Sequence, residues 1–374
     1  MVVLNFCHTT YEKSEHMKIL DILTKKVNFQ RRKVFKIALD AGSNISQRVY
    51  LKIVTDEGIY GLGEATPYPP VTAETIDGVI AAVEFMKPRL LGEDPTDIAT
   101  IHAIMDRAIL RNTSAKAAID IACYDIMGKK TGMPVHKMIG ATESVLQTDI
   151  TIGIDTVENM VKEAQDRIKE GFRILKIKCG IEPEKDIEVI KQIRAAVGEE
   201  IDLRIDANQG YDIKTALYVL GEMKKYNLTE AEQPLPYWDI HGMAEVSKAS
   251  PIPIMADESV HTPEQAEIAC QHDACKIVNI KLMKCGGIYP ALQIADIAKK
   301  YGKPCLVGCF SESKLAISAA AAVVLAKDNV ESADLDSFFS FTNPEVGVCG
   351  GFTVDKDVIT MSEKPGYGFD DYEF

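Results

Sequence analysis

At 374 residues, with 55 acidic against 42 basic side chains, the chain carries a net charge of −13. That balance disfavours nucleic-acid and anionic membrane partners and mildly favours cationic ones. A hydrophobic share of 46% and a charged share of 26% are those of an ordinary folded protein and exclude a disordered or collagen-like chain.

Nothing at the N-terminus reads as an export signal, because "VVLNFC" is too short for an apolar core and no basic residue precedes it. Residues 1–16 carry little periodic pattern and are read as an N-terminal extension, with a β-like stretch, "MKILDILTKKVNF", starting at Met17. Alternation in "KVFKIAL", "RVYLKIVTD" and "EGIYGLGEA" predicts an antiparallel meander. Asp56, Glu57 and Gly58 supply its turn, and Gly61 and Gly63 allow close backbone approach. Three helices follow. In the third, Ala115, Ala118, Ile119, Ala122 and Ile126 recur at helical spacing, with Ser114 as the expected cap and Gly132 just past the end. Strands followed by helices make residues 17–140 an α+β domain.

From about Gln147 the pattern alternates. Strands are expected to end near Thr151, Lys178, Asp206, Glu232, Asp257, Lys281, Cys309 and Asp334, with helix starts at Thr156, Pro183 and Pro263. Several of these segments, "RILKIK", "IDLRID", "LTEAE", "PIMAD", "KIVNIK" and "ESADLD", close on a charged residue. A strand-plus-helix unit recurring about every 25 residues implies a (β/α)₈-type barrel over 141–340, with those charges on its active-site face. The apolar run "LAISAAAAVVLA" is far shorter than a membrane span and is read as a buried barrel helix. Residues 341–374 contain "GGFTVDKDVITMSEKPGYGF", a strand pair expected to return to the first domain. The nine cysteines, at 7, 123, 179, 270, 275, 285, 305, 309 and 349, have no zinc-binding spacing. Reduced thiols and a cytoplasmic location are therefore expected. Cys179 and Cys309 are assigned packing roles.

Lys176 and Lys178, two apart on one strand, project from the same face into the barrel. Their mutual repulsion should lower their pKa values and make one of them a base. Asp206, Glu232 and Asp257, from three consecutive strand ends, would repel one another unless a divalent cation joined them, and all-oxygen ligation suits Mg²⁺ or Mn²⁺. Lys281 lies across the barrel from Lys178. Amines on two sides of a metal-bound carbon acid are what a two-base proton transfer requires. Lys284 is expected in solvent. Asp334 and Asp336 share a face by the same two-residue rule and could grip a substrate ammonium.

Together "LKIKCG", "RIDANQGY", "AEQPLP", "MADES", "NIKLMKCGG" and "KPGYGF" resemble the enolase superfamily, muconate-lactonizing subgroup, over nearly all the chain from Met17 onward. The superfamily's pairing of a lysine base with Mg²⁺ is well known. The resemblance implies a modified TIM barrel of (β/α)₇β type with an N-terminal α+β capping domain that the C-terminal segment completes. It implies Lys178, with Lys176 as its electrostatic neighbour, and Lys281 as the two bases, serving the L and D epimers respectively. Asp206, Glu232 and Asp257 would hold one Mg²⁺ per subunit. "ADLD" resembles the Asp-x-Asp signature of dipeptide epimerases, which implies a small dipeptide as substrate; members of the family often form homo-oligomers. Loops around Asp40 and Tyr68 would set specificity. Related Ala-Glu epimerases follow "FKIAL" with an Arg; Asp40 stands there instead, which argues against Ala-Glu and for a cationic or uncharged side chain. The alternatives in the same superfamily are muconate cycloisomerase, o-succinylbenzoate synthase and N-acylamino-acid racemase, whose substrates offer no ammonium to Asp334 and Asp336. A Schiff-base lyase using Lys281 and a non-catalytic peptide binder are the rivals of other classes.

Overall fold

A computed structural model describes residues 16–369, so the extension read at 1–16 lies, His16 apart, outside the described residues. The chain opens with an antiparallel meander of β1 (Ile19–Gln30), β2 (Ile45–Thr55) and β3 (Tyr60–Ala65). Its first strand is the stretch from Ile19, not "KVFKIAL". Residues 33–39 form a loop that crosses the barrel: Lys36 O accepts Ile154 N at 2.8 Å, and Arg32 N donates to Ser340 O at 2.8 Å. Alternation alone could not separate a strand from a loop whose Phe35 packs beside Gly153 of the barrel.

After α1 (Pro69–Thr72) come the three expected helices, α2 (Ile76–Leu90), α3 (Ile98–Ala108) and α4 (Thr113–Thr131), and then the single turn α5 (Val135–Met138). Helix α4 lies directly on the meander. A Cβ on Gly63 would come within 1.9 Å of Ala118 O, and one on Gly61 within 2.0 Å of Ala122 O, so only glycine permits this approach. Ser114 does not cap α4. Asn112, at φ 52°, occupies the cap position, and Ser114 donates its N–H and hydroxyl to Glu74 at 3.0 and 2.6 Å.

The alternating part begins with β4 (Val145–Gln147), β5 (Ile150–Ile152), α6 (Val157–Glu170), β6 (Ile174–Lys178), α7 (Pro183–Val197), β7 (Asp202–Asp206) and α8 (Ile213–Met223). It continues with β8 (Leu228–Glu232), α9 (Ile240–Ala249), β9 (Ile254–Ala256), α10 (Pro263–Gln271), β10 (Ile277–Ile280) and α11 (Leu282–Cys285). The series ends with α12 (Ile288–Lys300), β11 (Cys305–Gly308), α13 (Lys314–Ala326) and β12 (Val330–Asp334). Strands β5 to β12 form one eight-stranded parallel sheet in sequential order. The seam between its outer strands is drawn together by Asp149 N to Ala333 O at 3.4 Å and Thr151 N to Asp336 Oδ2 at 2.6 Å. The apolar residues of the strands, among them Leu175, Ile205 and Val278, share one core with the helices, whereas Asp149, Arg204 and Glu230 pair inside the barrel; α13, the apolar run, is buried over most of its length. Thr156 caps α6 where a helix start is expected, and Thr262, just before the expected start at Pro263, caps α10, each such cap contributing about 1 kcal/mol.

The final strand pair, β13 (Phe352–Asp355) and β14 (Val358–Met361), adds to β4, not to the meander. Beyond it Tyr367 N reaches Asp125 on α4 at 3.1 Å. Two more buried acids of the first domain sit on barrel helices. Asp120 accepts the N–H groups of Ile288 and Tyr289 at the start of α12, and Glu64 accepts Ser313 N and Ala316 N at the start of α13. A carboxylate at a helix N-terminus satisfies orphan donors and the helix dipole together, so these contacts lock the two domains. Among the described residues no helix is long and apolar enough to cross a membrane. The cysteines among them are all free, and Cys349 alone is exposed.

Candidate active site

A cavity of about 650 Å³ opens at the carboxyl ends of the barrel strands, and residues 31–47 and 66–77 of the first domain help to wall it. Parallel strands all deliver their C-terminal side chains to this end, which is why the charged residues closing β6, β7, β8 and β12 meet here. Strand register places Lys178 beside Asp206, Asp206 beside Glu232, and Gly308 beside Asp334.

Lys178 Nζ donates to Asp206 Oδ2 at 2.5 Å and to Asn208 Oδ1 at 3.2 Å. Lys176, one strand pleat deeper, is held by three acids: Glu232 Oε2 at 2.6 Å, Asp334 Oδ2 at 2.7 Å and Asp206 Oδ2 at 3.3 Å. The expectation that Lys176 would have a lowered pKa is therefore overturned. Burial does oppose its charge, but Asp334, Glu232 and Asp206 outweigh burial and hold its pKa well above the usual lysine value. Lys281 follows β10, four strands round the sheet from β6, and donates to Asp257 Oδ2 at 2.7 Å. Its ammonium lies 4.9 Å from the centre of the Phe310 ring. Burial again opposes the charge, and Asp257 and Glu232 again raise the pKa above that of a free lysine.

Asp206, Glu232 and Asp257 are 0, 2 and 1% exposed. Glu232 is the middle member: it shares Lys176 with Asp206 and approaches Lys281, the partner of Asp257, at 4.0 Å. Burial, then the neighbouring Asp206, pushes the Glu232 carboxyl well above its ordinary pKa. Against the same burial, Lys178 lowers Asp206, and Lys281 and Lys284 lower Asp257. Oxygen ligands from adjacent strand ends and a Glu232 carboxyl whose ionisation lacks a sufficient counter-charge suit a hard divalent cation. With lysines standing between them, the three acids do not all close to within 4.8 Å of one another.

Lys284 is not in solvent. The turn of α11 folds it under the strand ends, fully buried, where its ammonium donates to Asp257 O at 2.5 Å and Asn279 O at 3.0 Å and lies 2.5 Å from Asp257 Oδ1. Other residues of the site went unread in the sequence. Asn208 bridges Lys178 to Glu258, and Asn279 donates to Glu232 Oε1 at 2.9 Å. The two-residue rule that pairs Lys176 with Lys178 would have found Asn279, two before Lys281, whereas Asn208 lies past the end of β7 at φ 39°, where strand alternation gives no signal.

At the far end Asp334, Asp336 and the Cys309 thiol gather within 4.8 Å. Asp334 is held by Lys176, and Asp336 Oδ2 by Thr151 N. Burial resists ionisation of Asp334, yet Lys176 draws its pKa down to about 2, whereas burial and then Asp334 push Asp336 up to about 6. Cys309 is buried and its thiol pKa is raised by that burial, as a packing cysteine requires. Asp40 stands exposed at the cavity mouth, its Oδ1 accepting Gly42 N at 2.9 Å. Tyr68 lines the cavity with its ring 5.6 Å from Phe310, and its buried hydroxyl has no hydrogen-bond partner among the described residues.

Residues 159–371 match the family described as enolase C-terminal domain-like, and residues 19–140 match the N-terminal domain of mandelate racemase / muconate lactonizing enzyme. The chain is 38% identical over 357 residues to an L-Ala-D/L-Glu epimerase of Clostridium acetobutylicum, covering 95% of this chain and 99% of that protein. It is 36% identical over 361 residues to an N-succinyl-L-Arg/Lys racemase of Bacillus cereus, covering 95% of each. Among solved structures, the dipeptide epimerase of Enterococcus faecalis V583 complexed with Mg and L-Leu-L-Tyr is similar at a TM-score of 0.91 and 36% identity, over 94% of this chain and 99% of that one. Sequence and fold agree along both domains: the chain belongs to the mandelate racemase / muconate lactonizing enzyme family of the enolase superfamily.

Proposed function

We propose that the protein is a dipeptide epimerase that inverts the α-carbon of the C-terminal residue, converting L-Xaa-L-Xaa to L-Xaa-D-Xaa. One observation carries the reading: Lys178 and Lys281 line a single cavity from strands on opposite sides of the barrel, each beside a different acid. In this reading Asp206, Glu232 and Asp257 hold one Mg²⁺, or Mn²⁺ in its place. When bound, the cation would accept the substrate carboxylate as a ligand and supply positive charge where negative charge develops as the α-proton leaves.

Lys178 removes the α-proton of the L epimer, and Lys281 delivers a proton to the opposite face; the reverse direction exchanges their roles. Each lysine must be an amine when it accepts and an ammonium when it donates. Lys176, enclosed by Asp206, Glu232 and Asp334, keeps its charge throughout and holds the acids in place. Asp334 and Asp336 take the substrate ammonium and so select a free amino terminus over an N-acyl group. Asp40 sets a negative charge at the cavity mouth, which argues against Ala-Glu as the preferred substrate. A cytoplasmic location accompanies the reading and agrees with the free thiols.

The test is a library of dipeptides and N-acylamino acids incubated with the protein and Mg²⁺ in D₂O and read by mass shift and chirality. Deuterium is expected at the α-carbon of the C-terminal residue, with no exchange after chelation. Exchange confined to N-acylamino acids would reject the dipeptide reading in favour of the racemase alternative.

A further inference from the structure

We infer that Lys284 is a positioning residue of the metal centre: it occupies one oxygen of Asp257, leaving that acid a single oxygen to offer, so that the site takes Mg²⁺ in preference to Ca²⁺. The inference rests on the reading of Asp206, Glu232 and Asp257 as metal ligands and adds a residue that decides which cation they hold.

Lys281 caps the turn of α11 and Lys284 is the third residue of that turn; at a spacing of three the two side chains share a face. They bracket one carboxylate. Lys281 Nζ donates to Asp257 Oδ2 at 2.7 Å, while Lys284 Nζ lies 2.5 Å from Asp257 Oδ1 and donates to the main-chain oxygen of the same residue at 2.5 Å. A further bond, to Asn279 O at 3.0 Å, ties the Lys284 ammonium to β10. Lys284 is fully buried, so water does not compete for these partners. The turn that carries it is fixed as well. Gly286 and Gly287, at φ 101° and 122°, close it through N–H bonds to Leu282 O at 2.9 and 3.0 Å, and a Cβ on Gly287 would come within 2.2 Å of the Asp120 carboxyl.

The other two acids are restrained in the same sense. Asp206 Oδ1 accepts Asn208 N at 2.8 Å, and Glu232 Oε1 accepts Asn279 Nδ2 at 2.9 Å. In all three acids the second oxygen is the one that meets a lysine of the cavity: Asp206 Oδ2 takes Lys178, Glu232 Oε2 takes Lys176 and Asp257 Oδ2 takes Lys281. Three carboxylates that each present one oxygen match Mg²⁺, which demands near-octahedral geometry and keeps several waters. Ca²⁺ takes about six to eight oxygens and readily uses both atoms of a carboxylate. Asp257 is the most firmly restrained of the three, because its outer oxygen faces a full positive charge where Asp206 and Glu232 meet neutral N–H groups.

The test is calorimetric titration of the full-length chain, freed of metal by a chelator, with Mg²⁺ and separately with Ca²⁺, for the unaltered protein, Lys284→Met and Lys284→Gln. The unaltered protein should bind Mg²⁺ more tightly than Ca²⁺. Removing a positive charge beside the site favours both divalent ions alike, so that contribution cancels in the ratio of their affinities. The Mg²⁺-to-Ca²⁺ ratio should fall by about 10- to 100-fold in the variants, the usual effect of losing a partner that orients a metal ligand. A lysine with a structural role alone would lower the melting temperature and leave the ratio as it was, and an unchanged ratio overturns the inference. Tighter binding of Ca²⁺ by the unaltered protein also overturns it, a result that does not depend on either variant folding. Binding of neither cation by the unaltered protein would overturn the metal assignment itself and the inference with it.

Discussion

Lys178 and Lys281 enter one cavity from strands four positions apart in an eight-stranded sheet, and each is tied to a different acid, Asp206 at 2.5 Å and Asp257 at 2.7 Å. The pairing makes the two lysines separable by experiment. Lys178→Ala and Lys281→Ala should each lower epimerisation by about 10²- to 10⁴-fold, the usual worth of a positioned acid or base. Loss of the α-proton signal in D₂O should persist from the D epimer in the first variant and from the L epimer in the second. Full epimerisation by Lys178→Ala would reject its role.

Lys176→Met tests the clamp. Three buried carboxylates lose a shared ammonium, and removing one partner of a buried ion pair costs about 3–5 kcal/mol. Denaturant melts without added metal should show that loss, and Mg²⁺ should recover part of it by binding the folded state. Equal stability of the variant and the unaltered protein in metal-free buffer would count against the clamp.

Asp336 predicts an acid limb in the pH profile. Its pKa is raised by burial and then by Asp334 to about 6, so below that pH the carboxyl is protonated and must release its proton to hold an ammonium. The kcat/KM for a dipeptide should therefore rise with pH through about 6 and level off above it. Asp336→Asn should remove that inflection along with most of the affinity. A profile in which Asp336→Asn retains the same inflection would assign it elsewhere.

Glu312 predicts a pH effect on stability alone. Burial, followed by the neighbouring Glu64, pushes its pKa up to about 8, above the ordinary value of 4.5. Between those values the folded protein binds a proton that the unfolded chain lacks, so this group's contribution to stability declines as pH rises from 4.5 to about 8. Glu312→Gln, which resembles the protonated acid, should flatten that part of the stability curve, and denaturant midpoints at pH 6 and 8.5 measure it. The same slope in both proteins would refute the assignment.

Much of the site was legible because a parallel barrel turns local order into spatial order. Most of the apolar segments end in a charged residue, and every strand delivers its end to one face, so Lys178, Asp206, Glu232, Lys281 and Asp334 could be placed near one another without coordinates. The period of the pattern also located the barrel strands to within a residue or two, and Thr156, Pro183 and Pro263 identified helix starts. These are short-range properties, written in spacing and residue type.

Only the tertiary structure decided the rest, because it depended on partners far away in the chain. Lys176 changed from a depressed base to a fixed cation once Asp334, 158 residues on, closed the barrel beside it. Lys284 left the solvent because the turn of α11 aimed it at the carbonyls of Asp257 and Asn279. Residues 33–39 became a loop because the barrel, not a strand neighbour, received their backbone bonds, and the final hairpin chose β4. The amino-acid sequence by itself determined which side chains come to the barrel mouth. The charge state of each and the wall it faces depend on what burial removes from water and on which opposite charge folding brings within about 3 Å, and neither is a property of spacing.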